Sequence, residues 1–171
     1  MCEVAVSPVS SRMRSLDIKV VFDDKLVNLT ANDGGDGYYW RSYYNESLSY
    51  TADENTVVCQ AAVKGGYVEL TEVPGRKIPA GEAVILKSTS PDITLTPAPN
   101  TNTSLDGNEL EGGYWDYFLK GPYVYVLSRG DDGKGAIGFY KTREGLSAKK
   151  AHLAIFPTRS ASAPASHDDN R

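Results

Sequence analysis

The side chains able to act as a nucleophile, a general base or a soft-metal ligand are few in this sequence. The chain has two histidines, His152 and His167, and two cysteines, Cys2 and Cys59. Triads of the Ser-His-Asp or Cys-His kind need a histidine beside the nucleophile, and His152 lies among apolar residues, where a structural role is favoured. The four residues also match no zinc or iron site. We therefore predict a protein that is not an enzyme and needs no cofactor.

The two cysteines leave two alternatives for their redox state. Cys59 belongs to a strand-like run, and an unpaired cysteine there behaves as a small apolar residue. A buried free thiol at Cys59 is therefore favoured, and a disulfide between Cys2 and Cys59 is the alternative.

Two acidic, glycine-rich segments offer oxygen ligands for a hard cation such as calcium. Asp33 and Asp36 belong to the first segment, and Asp131 and Asp132 to the second. Neither has the ligand spacing of an EF-hand loop, so plain acidic turns are favoured over calcium sites. Paired carboxylates can also hydrolyse glycosidic bonds, but only when they face each other across a cleft, which a sequence does not reveal. A glycoside-processing enzyme is therefore the least favoured functional hypothesis.

The segment 133–138, GKGAIG, satisfies the GxGxxG pattern of dinucleotide-binding folds. That motif holds a pyrophosphate only where a helix follows it, because the N-terminus of the helix supplies the amide groups. Here residues 139–142 have a strand-like sequence, and Gly145 follows before a helix could form. We interpret the segment as a glycine-rich hairpin.

Aromatic residues are concentrated in two stretches, 38–50 and 114–140. Exposed Trp and Tyr rings can stack on sugars, since they combine flat apolar faces with polar edges. Aromatic residues also fill the cores of β-sandwiches, and core or interface packing is the favoured interpretation here. The candidates for ligand binding are Trp40, Tyr43, Trp115 and Tyr117.

Charge and hydropathy limit the range of partners. The 171 residues carry a formal net charge of -4 with a pI near 5.2, which does not favour nucleic-acid binding. No apolar run approaches the roughly 20 residues that cross a bilayer, so no membrane span is predicted. The N-terminus also lacks the pattern of a signal peptide. If the protein is exported, its native leader is absent from this chain.

The chain is predicted to form one domain with two flexible ends. Residues 1–15 and 158–171 are polar, and they contain too little apolar surface to offset the entropy of ordering. The folded domain is expected to span residues 16–157, a length sufficient for a well-buried core.

Between these ends, the residue pattern favours β-strands almost everywhere. Nine runs rich in Val, Ile, Thr and Tyr are separated by Gly, Pro, Asn or Asp, and no segment keeps helical spacing for three turns. Runs 82–87 and 123–128 are apolar at successive positions, which is typical of central strands covered on both faces. We predict an all-β, antiparallel β-sandwich, with a flattened barrel as the alternative. The runs are 17–22, 38–44, 56–63, 67–73, 82–87, 93–96, 123–128, 136–141 and 151–156.

Two similar phrases indicate a degenerate internal duplication. Each follows a hairpin signal, and aligning Ala80 with Ala148 and Ala83 with Ala151 gives the same offset of 68 positions. A duplication predicts two halves that supply comparable strands. A chance match of short apolar phrases is the alternative.

Six phrases in a fixed order carry a resemblance to a known family. They are 67–73, 77–87, 107–112, 125–128, 138–141 and 146–153. Together they resemble a β-domain found towards the C-terminal part of many secreted and surface proteins of Bacteroidales-type bacteria, with patterns such as "IPAntgvILk", "GN.L.G" and "vGFYk". The match covers about residues 38–157, and His152 stands where that family usually has Tyr.

The resemblance implies a non-catalytic accessory or interaction module of a secreted or cell-surface bacterial protein. Its implied partners are a glycan or another surface protein. A carbohydrate-binding module that uses exposed Trp or Tyr is the alternative function. The oligomeric state is left open, because uncovered edge strands of a sandwich can pair between chains.

Overall fold

The structure is a computed structural model that describes residues 3–5, 19–21, 25–100, 103–113, 123–142, 145–146 and 149–155. These residues form fifteen strands and a 3-10 turn at Pro74–Arg76. The strands are β1 (Glu3–Ala5), β2 (Lys19–Val21), β3 (Val27–Thr30), β4 (Asn32–Asp33), β5 (Tyr39–Tyr44), β6 (Ser49–Ala52), β7 (Thr56–Lys64), β8 (Tyr67–Glu72), β9 (Lys77–Ile78), β10 (Ala83–Ser88), β11 (Asp92–Ala98), β12 (Leu110–Gly112), β13 (Tyr123–Ser128), β14 (Gly138–Lys141) and β15 (Ala151–Ile155).

The strands form three stacked antiparallel sheets and one separate pair, β1–β2. The central sheet has the order β4-β5-β10-β7-β8, the first outer sheet β3-β11-β6-β9 and the second outer sheet β12-β15-β13-β14. Every pairing among the described strands is antiparallel. The predicted all-β sandwich is confirmed, with three sheets. Each sheet is open at both borders, so the flattened-barrel alternative is wrong for the described strands.

Strand β10 occupies the centre of the fold because both of its faces are apolar. Val84 and Leu86 point into the core shared with the first outer sheet, while Ala83 and Ile85 point into the core shared with the second. All four are buried. Side chains alternate between the faces of a strand, so a continuous apolar run requires a cover on each side. The prediction that run 82–87 forms a central strand is confirmed.

The two cores have different compositions. The first is mainly aliphatic, with one aromatic pair, Tyr43 and Tyr50, packed edge to face with ring centroids 6.2 Å apart. The second contains the indole of Trp40 and the thiol of Cys59. Cys59 is a buried free thiol, as predicted. Burial raises the pKa of this thiol, and the Glu72 carboxylate raises it further.

The central and second outer sheets repeat one topology. In each, a hairpin (β7–β8 or β13–β14) is followed by a strand (β10 or β15) that pairs with the first strand of the hairpin. The next neighbour repeats as well, since Ser42 faces Ile85 in the central sheet and Leu110 faces Leu153 in the second outer sheet. Both partners shift by 68 positions, from 42 to 110 and from 85 to 153. The predicted duplication therefore has a counterpart in strand order and in the register of this strand pair, whereas the partner on the hairpin strand shifts by 66 positions, from Cys59 to Tyr125.

The phrase 107–112 joins the central sheet to the second outer sheet. Asn108 donates through Nδ2 to the carbonyl of Ala83 at 2.9 Å and accepts the amide of Ala61 at 3.2 Å. A carboxylate oxygen of Glu109 accepts the amide of Val63 at 2.6 Å. These bonds satisfy backbone groups of β7 and of the first residue of β10, where the two strands no longer pair with each other.

The N-terminal boundary is the least defined part of the domain. Strand β1 lies within the predicted tail 1–15 and pairs with β2, which lies beyond it. The predicted C-terminal tail, 158–171, lies outside the described residues. The domain limits of 16 and 157 therefore stay predictions.

The close approach of Gly112 to Tyr44 allows the stacking of the second outer sheet on the central sheet to be tested. A Cβ at position 112 would overlap the Tyr44 ring, so Gly112→Ala should push the second outer sheet away from β5. Overpacking of this kind costs about 1–3 kcal/mol, measured as the free energy of unfolding in urea. Gly138→Ala is the matched control, because its Cβ would meet Tyr140 at an ordinary 3.6 Å. Equal stability of the two variants would contradict the stacking.

Candidate functional site

The glycine-rich loop 34–37, between β4 and β5, encloses the indole of Trp40. Gly34 is buried, and a Cβ there would overlap the Trp40 ring, so glycine is needed for this close approach. The Nε1 of Trp40 donates to both carboxylate oxygens of Asp36, at 3.1 and 3.2 Å. The same carboxylate accepts the amide of Tyr38. The loop thus covers the ring and satisfies its only polar atom.

Two of the four aromatic ligand candidates lie in the core. Trp40 is 8% exposed and Tyr43 is 4% exposed. The Lys87 ammonium lies 5.2 Å from the centroid of Trp40. Stacking on a sugar is incompatible with this burial, because the glycines near Trp40 cover the ring instead of exposing it. Core packing, the favoured interpretation, describes both residues, while Trp115 and Tyr117 lie outside the described residues.

The acidic residues considered for calcium stabilise turns. Asp33 accepts the amide of Gly35 at 2.8 Å, and Asp132 accepts the amide of Lys134 at 2.9 Å, whereas Asp131 is exposed. Within the described ranges, no three His, Cys, Asp or Glu side chains are grouped closely enough to hold a metal ion.

The electrostatics of Asp36 follow from the indole contact. Desolvation raises the pKa of its carboxyl, but the hydrogen bonds from Trp40 and from the amide of Tyr38 outweigh it, and the pKa is lowered overall. Asp36 is therefore held ionised as the acceptor for Trp40.

Arg129 joins the two acidic loops that the sequence presented as separate cation sites. Its Nε donates to the carbonyl of Gly135 at 2.9 Å, and its Nη2 donates to that of Lys134 at 3.3 Å. The guanidinium also lies against Gly35, where a Cβ would come within 2.7 Å of Nη2. Arg129 thus links the loop that follows β4 to the loop that follows β13.

A groove lies between the central sheet and the second outer sheet, and we call it the inter-sheet groove. Its polar half is a cavity of about 510 Å³ beside β4, β5 and β13. Among the described residues, three cationic side chains line it, Arg41, Arg129 and Lys150, together with one carboxylate, Asp33. This described lining therefore carries an excess of positive charge, although the whole chain has a net charge of -4.

The other half of the inter-sheet groove is apolar. It is a cavity of about 360 Å³ between β8 and β14, lined by the half-buried side chains of Val68, Leu70 and Phe139. Tyr67 stands at its edge and is 81% exposed. The two halves adjoin each other, since three residues line both of them: Trp40, Leu127 and Ile137.

Two residues that line the inter-sheet groove were candidates from the sequence, Trp40 and Asp33, whereas its three cations were not. Arg41, Arg129 and Lys150 come from distant parts of the chain and are brought together by the stacking of two sheets. A further local signal lies at Tyr67, an aromatic residue directly after the glycines of a hairpin, where the turn holds it at the surface.

His152, the titratable residue of β15, is buried and faces Glu111 on the neighbouring strand. It is 3% exposed, and its Nε2 lies 3.7 Å from a carboxylate oxygen of Glu111. Burial lowers the pKa of the imidazole, and the Glu111 carboxylate raises it in part. The neutral form is therefore favoured in the folded protein, consistent with the structural role predicted from the sequence.

No protein-family model, curated protein or solved structure matches this chain. Over the residues that the structure describes, no helix combines the length and apolar content needed to span a bilayer.

The contact between Asp36 and Trp40 can be tested by fluorescence in a Trp115→Phe background, where Trp40 is the only tryptophan. Asp36→Ala should shift its emission to the red and lower the free energy of unfolding by about 1–3 kcal/mol, since the buried N–H loses its acceptor. Asp132→Ala, in the other acidic turn, should leave the emission unchanged. A shift on adding calcium chloride to the parent protein would contradict the turn-stabilising role.

The lowered pKa of His152 predicts a loss of stability in mild acid. The unfolded imidazole has a pKa of about 6.5 and the folded one a lower value, so the unfolded chain binds more protons below about pH 6.5. The histidine contribution is complete above that pH and declines as the pH falls towards the folded pKa. Urea midpoints at pH 7.5, 6.5 and 5.5 should fall less steeply for His152→Gln than for the parent. A parallel decline would contradict this, and His167→Gln serves as the control.

Proposed function

We propose that this protein is a non-catalytic interaction module of a secreted or cell-surface protein, and that it binds its partner in the inter-sheet groove. The observation that carries the proposal is the contiguous row of half-buried apolar side chains, Leu127, Ile137 and Phe139, beside three cations. Contiguous apolar surface that stays accessible is typical of binding sites. The surface location is supported by the phrases that resemble the Bacteroidales-type β-domain.

A binding function is favoured over catalysis by the chemistry of the groove. Among the described residues that line its polar half, Asp33 is the one carboxylate, and no histidine or cysteine is present. Glycoside hydrolysis needs two carboxylates on opposite sides of the bond, and acyl transfer needs a nucleophile beside a base. The groove offers hydrogen bonds, positive charge and apolar contact, which suit recognition.

Carbohydrate binding is the second candidate, and Tyr67 favours it. At 81% exposure the ring has free faces, and it lies beside the groove. A sugar could stack there while its hydroxyl groups reach polar groups of the groove. This version uses Tyr67 in place of the buried Trp40 and Tyr43.

The proposal is tested by screening the protein on a glycan array and on a random peptide display library. We expect retention of at least one class of probe, with amide shifts in NMR spectra clustered at Leu127, Ile137 and Phe139. We also expect no release of reducing ends from the polysaccharides of the array. Ile137→Glu should weaken binding about tenfold or more, because it places a charge in the apolar half.

The control for this test is Leu26→Glu, which places the same charge on an exposed residue outside the groove. Circular dichroism checks that both variants keep the fold. Binding that both variants weaken equally, shifts located elsewhere, no retention of any probe, or hydrolysis of a polysaccharide would each overturn the proposed function.

A further inference from the structure

We infer that the inter-sheet groove takes an extended peptide segment with carboxylates at one end and apolar side chains at the other. This inference rests on the proposed function and names the class of its partner. It follows from three features: the charge of the polar half, the accessible apolar area of the other half, and the border strands between which the groove runs.

The three cations of the polar half are free to attract an anionic group. Arg41 donates through Nη1 to the carbonyl of Thr30, and Arg129 donates to loop carbonyls, so both side chains are held in place by neutral acceptors that leave their charge uncompensated. Lys150 is exposed. None of the three forms an ion pair within the described part of the chain. Their excess over Asp33 complements a carboxylate, and Arg is the side chain best suited to hold one.

The second core leaves several apolar side chains half-exposed at its border. Val68, Leu70, Leu127, Ile137 and Phe139 pack against that core and also line the groove. Each retains surface whose burial would release about 25 cal/mol per Å². An apolar side chain of a ligand would cover this surface while a neighbouring carboxylate reaches the cations.

The position of the groove suits an extended chain. Its apolar half runs between β8, at one border of the central sheet, and β14, at one border of the second outer sheet. Border strands can add a further strand by main-chain hydrogen bonding. An extended segment can lie between them with alternate side chains directed into the groove.

A glycan fits this groove less well than a peptide. The shared floor contains Trp40, whose indole is buried, so sugar stacking is left to Tyr67 at the edge and to the half-buried Phe139. The apolar side chains that line this half give no hydrogen bonds for hydroxyl groups, and burying hydroxyl groups without partners costs binding energy. Peptide side chains meet neither difficulty.

The inference is tested by fluorescence anisotropy with labelled peptides of about eight residues, the length of a strand that spans β13 with one residue to spare at each end. One set joins Asp and Glu to Leu and Phe in both block orders. A second set carries Lys and Arg in place of the acids, and a third carries Ser in place of the apolar residues. We expect the acidic-apolar set to bind at least about tenfold more tightly than either of the others, and less tightly at 500 mM than at 50 mM sodium chloride.

Two pairs of variants test the two halves of the groove. Lys150→Glu should weaken binding about fivefold, whereas Lys77→Glu, an exposed lysine of β9 on the first outer sheet, should not. Tyr67→Ala should weaken binding about fivefold, whereas Tyr123→Ala, an exposed tyrosine outside the groove, should not. All four positions are exposed, so the variants should keep the fold.

The outcomes separate this inference from the proposed function. Equal binding of acidic and basic peptides, or equal effects of the two lysine variants, would overturn the peptide chemistry. A glycan that binds in the groove with sensitivity to Ile137→Glu, in the absence of peptide binding, would overturn the partner class and leave the proposed function standing. The absence of both would overturn both.

Discussion

Strand β10 has to bury both of its faces, and the rest of the structure depends on how that is done. Four successive apolar residues, from Ala83 to Leu86, alternate between two cores. Burial of each large aliphatic side chain stabilises the fold by about 1.5–3 kcal/mol, so exposure of either face of β10 would cost at least about that amount. One outer sheet therefore covers each side, and three sheets result. The resemblance phrase 77–87 includes all of this strand except Ser88, so its apolar residues are those of the central strand.

Residues that looked chemically active in isolation stabilise this stack. Gly34 and Gly112 allow aromatic rings to touch the backbone, and Asp36 accepts the indole hydrogen of Trp40. Arg129 lies between two acidic turns that resembled cation sites. A close approach between ring and backbone removes water from both, and a charged acceptor compensates the buried N–H. Packing thus explains the glycines at 34 and 112 and the carboxylate at 36.

The inter-sheet groove is a consequence of the same stacking. Side chains at the borders of two packed sheets have neighbours on one side only, so Val68 and Phe139 stay half-exposed where β8 and β14 run. A polar cavity adjoins this apolar one and shares Trp40, Leu127 and Ile137 with it.

The sequence by itself determined most strands and the turns between them, because the alternation of side chains along a strand and the glycines of a turn are local properties. All nine predicted runs coincide with observed strands to within two residues at each end, whereas six short strands of two to four residues were missed, among them Val27–Thr30 and Ser49–Ala52. The duplicated phrases also predicted the repeated strand order. Only the tertiary structure decided that Trp40 is buried and that Arg41 and Lys150 line the same cavity. Burial and convergence depend on which sheets stack, and stacking is set by long-range contacts that no local pattern encodes.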